Sequence, residues 1–320
     1  MSLEEARRFL ALSREAHWAF PTSFGTPIRK DPDVNRWVEQ ALPKRESYAN
    51  AACILLKNGD EDAATEIAAN VWRLWMVERD IDGGRTFLAT ILDHGEKKPS
   101  RARSLALYGD ALLGLRQGKT EESRERSQAA LDIALVVNDR EALTLGYLAM
   151  SRIAFEDGDY AKALDLAVKS REFARGMDPA MGQAPLFLHA QATRMRGEYD
   201  QAAALFEKSL DLNRKLEDPG MVMAELQNLG LVEIHRGNID AAERYFAESE
   251  NLGTAEDPYG IAMMHLYRAA IELVRGNTDG SRTLLQRAQS TLKEAGIEAA
   301  PDDQFEINWV HEQLEKNVRN

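Results

Sequence analysis

Hydrophobic and polar positions repeat along the chain with a period of about 40 residues. Within each period, apolar residues recur at three- and four-residue steps, a glycine interrupts the pattern, and the same steps begin again. This pattern predicts two amphipathic helices joined by a short turn. The glycines lie 40, 39, 40 and 39 residues apart: Gly118, Gly158, Gly197, Gly237 and Gly276. A fixed period of this length is typical of a solenoid, in which each unit packs only on its neighbours.

Other positions of the period predict how the helices pack. A small residue follows each glycine by five positions, where it lets two helices approach closely: Ser123, Ala163, Ala202, Ala242 and Ser281. Larger residues four positions further on are predicted to fill the space against the next unit: Phe206, Phe246 and Leu285. Asp159 and its equivalents are predicted to cap the second helix, because a carboxylate suits its positive N-terminal end. Upstream the period continues without its glycine, and Gly84 is predicted to be a packing residue.

The N-terminal segment follows a different pattern. Residues 1–44 are predicted to form a non-repeat segment that begins with a helix from about Leu3 to Trp18. A stretch rich in proline, glycine and threonine follows from Pro21 to Pro32, and then a short helix that carries Trp37. Such a stretch is typical of a loop.

The repeats are predicted to occupy residues 45–300, and residues 301–320 are predicted to form a capping helix. The apolar residues of this helix fall on one side, with charges elsewhere: Phe305, Trp309 and Leu314. The sequence therefore predicts an all-α fold, a right-handed α-α superhelix of about seven helix pairs with a capping C-terminal helix.

The order of residues within a unit resembles the tetratricopeptide repeat, as in the run Gly197, Tyr199, Ala202 and Phe206. The period is longer than the usual 34 residues, so extra residues are expected in the loops or the helices. The resemblance implies a tetratricopeptide-like solenoid in which the first helix of each unit lines a concave groove. Carried onto this sequence, the groove positions are Asn70, Arg73, Tyr108, Arg152, Phe187, Gln191, Arg194, Gln227, Asn228, His235 and Tyr267.

Three arginines stand out among these groove positions: Arg73, Arg152 and Arg194. Because a guanidinium forms paired hydrogen bonds with planar anions, they favour a carboxylate, a phosphate or an acidic peptide as ligand. The alternative is that they form salt bridges with Glu or Asp of a neighbouring helix. Asn228 is a candidate for an amide that reads a peptide backbone. The clustered tryptophans are interpreted as core, or else as a docking surface: Trp37, Trp72 and Trp75.

A narrower resemblance covers about residues 45–290. The segments Leu55–Asp60, Ala68–Trp75 and Asp80–Leu88 resemble the start of the helical C-terminal region of bacterial LuxR-type and antibiotic-regulatory multidomain ATPase activators. In that family the region is a sensor that binds an inducer or a partner and controls a nucleotide-driven switch. The chain has no Walker A loop, winged helix or basic helix-turn-helix segment, so ATPase and DNA-binding activities are not implied. It is either a sensor region or a free-standing adaptor.

Charge and composition narrow the range of partners. The net charge of −12 is spread along the chain and argues against nucleic acid as a direct partner, and equally against a membrane. The single Cys53 cannot form an intramolecular disulfide, which favours a reducing compartment. The N-terminal residues lack the apolar core of a secretory signal, so a cytoplasmic protein is expected.

Motifs that suggest chemistry have simpler explanations. The run Gly114–Thr120 resembles a phosphate loop, but only three residues separate its glycines where four are required, and it joins two helices. His311 and Glu312 lack the second histidine of a zinc-protease helix. No set of nucleophile, base and acid is suggested. We therefore expect no enzymatic activity, no cofactor and no metal.

The sequence favours a recognition module in a regulatory or signalling system that binds a peptide or protein in its groove. The alternative is a small-molecule sensor domain of a transcriptional regulator, with an inducer in the same groove. A small acidic ligand and a homo-oligomer are both compatible with the pattern.

Overall fold

The computed structural model describes residues 1–16, 32–94, 97–253 and 258–319, and the described residues contain helices and no strand. The helices are α1 (Leu3–Ser13), α2 (Pro32–Ala41), α3 (Arg45–Lys57), α4 (Glu61–Val71), α5 (Arg73–Val77), α6 (Ile81–Leu92), α7 (Arg101–Arg116), α8 (Thr120–Val137), α9 (Arg140–Glu156), α10 (Tyr160–Ala174), α11 (Gln183–Met195), α12 (Tyr199–Lys215), α13 (Pro219–His235), α14 (Ile239–Leu252), α15 (Pro258–Val274), α16 (Thr278–Ala295) and α17 (Pro301–Arg319).

The helices between α3 and α16 follow one another as helix-turn-helix pairs, which begin with α3/α4 and end with α15/α16. Within the described residues these are seven pairs, and α17 packs against the last of them. The predicted all-α, tetratricopeptide-like solenoid with a capping C-terminal helix is confirmed.

The turns within the pairs explain the spaced glycines. All five have φ between 72 and 83°, a left-handed conformation that glycine adopts without a steric penalty. In the turn at Gly158, its N–H donates to Phe155 O at 3.0 Å, and the N–H of Asp159 donates to Ala154 O at 2.9 Å. These bonds satisfy the last carbonyls of the first helix. Arg79, with φ of 58°, takes the glycine's place 39 residues before Gly118.

The caps of the second helices confirm part of the prediction. Asp159 accepts a hydrogen bond from the backbone N–H of Lys162 at 3.1 Å, and Asn277 accepts one from Gly280 at 3.1 Å. The prediction is wrong at Asn238, whose side chain makes no cap. Its amide instead donates to Glu233 at 2.6 Å, because that carboxylate lies on the preceding helix end.

The small positions of the period are all buried, as predicted: Ser123, Ala163, Ala202, Ala242 and Ser281. Gly84 is also a packing residue, because a Cβ there would lie 2.9 Å from both Leu113 Cδ1 and Trp75 Cβ. Phe246 is buried and stacks on Tyr267 of the next pair, with ring centroids 5.0 Å apart.

Both glycines of the run that resembles a phosphate loop have structural roles. Gly118 has φ of 72° in the turn between α7 and α8, and a Cβ on Gly114 would lie 2.4 Å from Ser123 Oγ. Gly114 therefore provides room for α8 to approach α7. The interpretation of this run as a phosphate-binding loop stays excluded.

The N-terminal expectations are met in part. The first helix ends at Ser13, earlier than predicted, while Trp18 and residues 21–31 lie outside the described residues. The short helix that carries Trp37 is confirmed as α2. The interpretation of the tryptophans as core is also confirmed, since all three are buried: Trp37, Trp72 and Trp75. Among the helices that the structure describes, none is long and apolar enough to cross a membrane.

The chain divides into two compact units. Unit 1 comprises Met1–Leu188 with Lys215–Asp218, and unit 2 comprises His189–Arg214 with Pro219–Asn320. The groove positions from Asn70 to Phe187 belong to unit 1 and those from Gln191 to Tyr267 to unit 2, so each set is described within its own unit. The predicted domain boundaries after residues 44 and 300 stay predictions.

Candidate recognition site

In unit 2 the C-terminal helix α17 lies on the first helices of successive pairs. The surface beneath α17 is named here the α17 seat. It is formed by Gln191 and Arg194 of α11, His235 of α13, and Tyr259 and Tyr267 of α15. Four of these five residues are predicted groove positions. The surface predicted to bind a partner is therefore in contact with a helix of the same chain.

Arg194 is the charged centre of the α17 seat. Its Nη2 lies 3.0 Å from Asp302 Oδ2 and its Nη1 lies 2.5 Å from Glu306 Oε1, and Gln191 Nε2 donates to the same Asp302 oxygen at 3.0 Å. The side chain is 1% exposed. Burial works to lower the pKa of Arg194, but the negative charges of Glu306 and Asp302 outweigh it and raise the pKa. The salt-bridge alternative is thus confirmed at Arg194.

His235 binds the second oxygen of the same carboxylate. Its Nε2 lies 2.9 Å from Glu306 Oε2, and its ring stacks on Tyr199 with centroids 4.7 Å apart. The ring of Trp309 packs edge-on against His235 at 4.8 Å. Both carboxylate oxygens of Glu306 therefore have a partner, one a guanidinium and one an imidazole, and the side chain is 1% exposed.

The first turn of α17 carries a third carboxyl group. Tyr259 donates from its hydroxyl to Asp303 Oδ2 at 2.5 Å and accepts from the backbone N–H of Ala300 at 3.0 Å. Burial and the charge of Asp302 raise the pKa of Asp303 to about 7. The stability that this raised pKa contributes is present below the usual range for Asp and is lost as pH rises through about 7.

The character of α17 differs from the prediction in one respect. Leu314 is buried and Phe305 and Trp309 are half-buried, but Asp302 and Glu306 also lie on the buried side. The expectation that the charges lie elsewhere is wrong, because Arg194 and His235 provide partners for these carboxylates. Sequence reasoning missed Asp302, Asp303 and Glu306, although their spacing on one helical face was visible.

The other groove positions of unit 2 make no contact with a carboxylate in the described residues. Asn228 is buried and its Nδ2 donates to Ala224 O of its own helix at 3.0 Å. Gln227 is half-buried. A role for either residue in reading a partner stays a prediction.

The predicted positions of unit 1 gather around Tyr108. Arg73 is buried and its guanidinium lies over the ring of Trp72, 4.5 Å from the centroid. Tyr108 is buried in an edge-to-face contact with Trp72, with centroids 6.1 Å apart. Burial lowers the pKa of Arg73, and the nearby oxygens of Tyr108 and Glu141 oppose that change.

A further arginine, Arg116, lies near both Tyr108 and Arg152. Desolvation and the positive charge of Arg152 lower the pKa of Arg116, and the oxygen of Tyr108 opposes them. Arg152 is half-buried. Arg116 was not among the predicted positions, because it lies at the helix end, next to the turn.

The two remaining predicted positions of unit 1 are Asn70 and Phe187. Asn70 Nδ2 donates to Ser13 Oγ at 3.3 Å and so connects α4 with α1. Phe187 is buried in α11. The role of these two residues in a groove stays a prediction.

A cavity of about 600 Å³ lies elsewhere in unit 2, between α14, α15 and α16. Phe246, Ile271 and Leu284 form apolar parts of its wall. Two ion pairs line it, Arg268 with Glu250 at 2.9 Å and Arg275 with Glu243 at 2.5 Å. Its volume lies within the range of roughly 300–1,000 Å³ that is usual for small-molecule sites.

One buried carboxyl group of unit 2 lies outside these surfaces and gives a pH prediction. Ser209 Oγ and Asn213 Nδ2 donate to Glu225 Oε1, the latter at 3.1 Å. Burial raises the pKa of Glu225 well above its usual range, although the two hydrogen bonds work to lower it. Its favourable contribution to folding is therefore complete below the usual range for Glu and is lost as pH rises towards the raised pKa.

We expect Glu225→Gln, which keeps the shape of the side chain, to raise the urea midpoint of unfolding at pH 8 and to change it little at pH 4. Exposed Glu248, paired with Arg214, provides the control, and Glu248→Gln should have a small effect at both pH values. Equal effects of Glu225→Gln at pH 4 and pH 8 would show that the carboxyl group is not neutral when folded.

Comparison with known proteins supports the fold. No protein-family model and no curated protein match the sequence. The solved structure of NprR in complex with its cognate peptide NprX is 16% identical, with a TM-score of 0.62 over 96% of this chain and 81% of that one. Rap protein complexed with competence and sporulation factor is 12% identical, with a TM-score of 0.59 over 92% and 78%.

The Cut9 and Hcn1 hetero-tetramer of the APC/C is a third similar structure, 15% identical, with a TM-score of 0.58 over 88% of this chain. The chain spans about half the length of that protein, 49%. At such identities, similarity in structure establishes the fold alone. The chain thus has the fold of tetratricopeptide-repeat proteins.

Proposed function

We propose that the chain is a non-enzymatic recognition module of a regulatory system, and that its first-helix surfaces bind an acidic segment of a peptide or protein. The observation that carries this proposal is the seating of α17, whose Asp302 and Glu306 contact Gln191, Arg194 and His235. The chain provides its own example of a ligand, an acidic helix with carboxylates one turn apart.

Charge supports an acidic partner. The whole chain carries a net charge of −12, so anionic segments are attracted only where arginines are concentrated. Arg73 and Arg116 near Tyr108 in unit 1 are such a place, and in unit 2 the single Arg194 already binds the carboxylates of α17. NprR, which shares the fold, is in complex with its cognate peptide NprX in its solved structure, and this agrees with a peptide as ligand.

The regulatory part of the proposal follows the sequence resemblance to bacterial ATPase activators, in which a helical sensor region controls a neighbouring switch. A cytoplasmic partner that takes the place of α17 would release the C-terminal helix. That release is a change in the chain that a neighbouring domain or protein could detect.

The test uses a labelled peptide with the sequence of residues 301–319, titrated against the full chain by fluorescence anisotropy. We expect weak binding to the wild-type chain, because its own α17 covers the seat. A chain with Glu306→Gln should bind the peptide about tenfold more tightly or better, since loss of one charged contact weakens the internal competitor.

The matched control peptide carries Asp302→Asn, Asp303→Asn and Glu306→Gln. Its affinity for the same Glu306→Gln chain should be at least about tenfold lower, because it offers no carboxylate to Arg194. Equal binding of the acidic and neutral peptides, or no binding of the acidic peptide to the Glu306→Gln chain, would contradict the proposal.

The cavity between α14, α15 and α16 favours a second candidate function, a small-molecule sensor. Its apolar wall with flanking arginines suits an apolar molecule that carries an anionic group. Ile271→Trp would fill part of this cavity and separates the two candidates. If the Ile271→Trp chain binds the acidic peptide as the wild type does, the peptide binds at the α17 seat. If Ile271→Trp abolishes binding of a small molecule, that molecule binds in the cavity.

A further inference from the structure

We infer that α17 is a pH-sensitive latch over the α17 seat, held closed in mildly acidic solution and loosened as the pH rises by a cluster of carboxyl groups at its start. The cluster consists of Asp302, Asp303 and Glu306 with their partners Arg194 and His235, and we call it the latch cluster. The inference rests on the proposed function and names how access to the same site is regulated.

The three carboxyl groups lie within one short stretch of α17 and contact the same seat. Asp302 and Glu306 are one turn apart, both are buried, and their oxygens lie 3.0 and 2.5 Å from Arg194. Asp303 accepts a hydrogen bond from the hydroxyl of Tyr259 at 2.5 Å. Like charges at three- and four-residue spacing on a helix repel one another. The start of α17 therefore carries an internal repulsion that its partners must offset.

Negative charge exceeds positive charge in the latch cluster when all three carboxyl groups are ionised. The facing titratable groups that the structure describes are Arg194 from α11, Tyr199 from α12, His235 from α13, and Tyr259 and Tyr267 from α15. Of these groups, the guanidinium alone is permanently charged, since an imidazole is charged only when protonated. One proton on Asp303 and one on His235 leave two negative and two positive charges. Because unbalanced buried charge costs free energy, the closed position of α17 favours proton uptake.

The titration of Asp303 agrees with this balance of charges. Burial and the negative charge of Asp302 raise its pKa to about 7, although the hydrogen bond from Tyr259 and the charge of Arg194 work to lower it. In return, burial and the charge of Asp303 raise the pKa of Tyr267. A carboxyl group with a raised pKa stabilises the closed position fully below the usual range for Asp, and this contribution is lost as the pH rises through about 7.

The loss acts on the start of α17 because the contacts of Asp303 are there. Tyr259 donates to Asp303 and also accepts from the backbone N–H of Ala300 at 3.0 Å, so it connects the segment before α17 to α15. Further along, apolar residues of α17 are buried in the core of unit 2: Ile307, Val310 and Leu314. Ionisation of Asp303 therefore loosens the first turns of α17, where the carboxylates cover the α17 seat.

Hydrogen–deuterium exchange of the full chain at pH 6 and pH 8 tests the latch. Exchange of residues 301–319 is expressed as a protection factor, so that the intrinsic pH dependence of exchange cancels. A pKa of about 7 for Asp303 predicts that protection of α17 falls about tenfold between the two pH values. Helix α8 of unit 1 is the internal comparison and should change little.

Asp303→Asn keeps the shape of the side chain and removes the titrating proton. Protection of α17 in this variant should be the same at pH 6 and pH 8. Glu312→Gln is the matched control at an exposed position of the same helix, and it should keep the change of about tenfold seen in the wild type. The wild-type comparison needs no variant, so the test does not depend on the folding of Asp303→Asn.

Peptide binding provides a second readout of access to the seat. A labelled peptide of residues 301–319 that carries Asp303→Asn should bind the wild-type chain about tenfold more tightly at pH 8 than at pH 6, because only the internal helix then carries the titrating carboxyl group. The Asp303→Asn chain should bind the same peptide equally at both pH values.

Equal protection of α17 at pH 6 and pH 8 in the wild type overturns the inference, and so does a pH dependence that persists in Asp303→Asn. This failure is distinct from failure of the proposed function. If protection does not change with pH but the Glu306→Gln chain binds the acidic peptide, the proposed function stands without the latch. If protection changes as expected but no acidic peptide binds at either pH, the latch stands and the proposed function fails.

Discussion

Arg194→Met is expected to lower the free energy of unfolding by about 3–5 kcal/mol at neutral pH, the usual cost of removing one partner from a buried ion pair. Methionine keeps much of the volume of the side chain but leaves Asp302 and Glu306 buried without their positive partner. Urea unfolding followed by tryptophan emission measures the change, since Trp309 lies next to His235 in the same surface. The variant should also bind an acidic peptide less well.

Arg196→Met is the matched control, two residues along the chain. Arg196 pairs with Glu198 at 2.8 Å, but the side chains are 40% and 37% exposed, so its loss should cost less than about 1 kcal/mol. The double variant Arg194→Met, Glu306→Leu should recover part of the stability, because apolar side chains can replace a buried pair. If Arg194→Met and Arg196→Met have the same effect, the pair does not hold α17 in place.

Trp72→Ala is the second substitution for which we expect a large effect, a loss of about 3–5 kcal/mol in the free energy of unfolding. Trp72 is fully buried between α4 and α5, next to Tyr108 and below the guanidinium of Arg73. A Cβ on Gly109 would lie 2.7 Å from its ring, which shows how tightly α7 packs against it. Alanine would leave a cavity that these rigid neighbours cannot close.

Trp72→Phe separates packing from hydrogen bonding at this position. It keeps a ring in the same place and removes an indole N–H that has no partner among the described residues. We expect it to cost less than half as much as Trp72→Ala in the same urea titration, because most of the buried ring volume is kept. If both substitutions cost the same, the ring does not contribute through the volume that it fills.

The repeat could be predicted from the sequence because its signals are local. A glycine with positive φ, a small residue five positions later and a cap next to the turn act within one helix pair, as in Gly158, Ala163 and Asp159. Arg79 is an exception that shows the limit of such prediction. Its φ is positive, but arginine is not a residue type from which a positive φ would be predicted. There the neighbouring turn determines the backbone conformation.

The candidate site could be predicted only in part, because its contacts join distant positions. The pattern of first helices indicated Gln191, Arg194, His235 and Tyr267, all of which contact or lie beside α17. It could not indicate that Glu306, 112 residues away from Arg194, is the partner of Arg194 and His235. Periodicity describes which side of a helix is buried and not which segment covers it, and acidic residues are usually expected in water.

The attachment of α17 to the rest of unit 2 has a consequence for affinity. Only the short segment 296–300 separates α16 from α17, so the internal helix is present at the effective concentration of a tethered ligand, in the millimolar range for short flexible linkers. A free partner of the kind we propose would compete with this helix at its own, much lower concentration. The tether would therefore set a threshold, and such a partner would need to contact more of the surface than α17 does in order to occupy the seat.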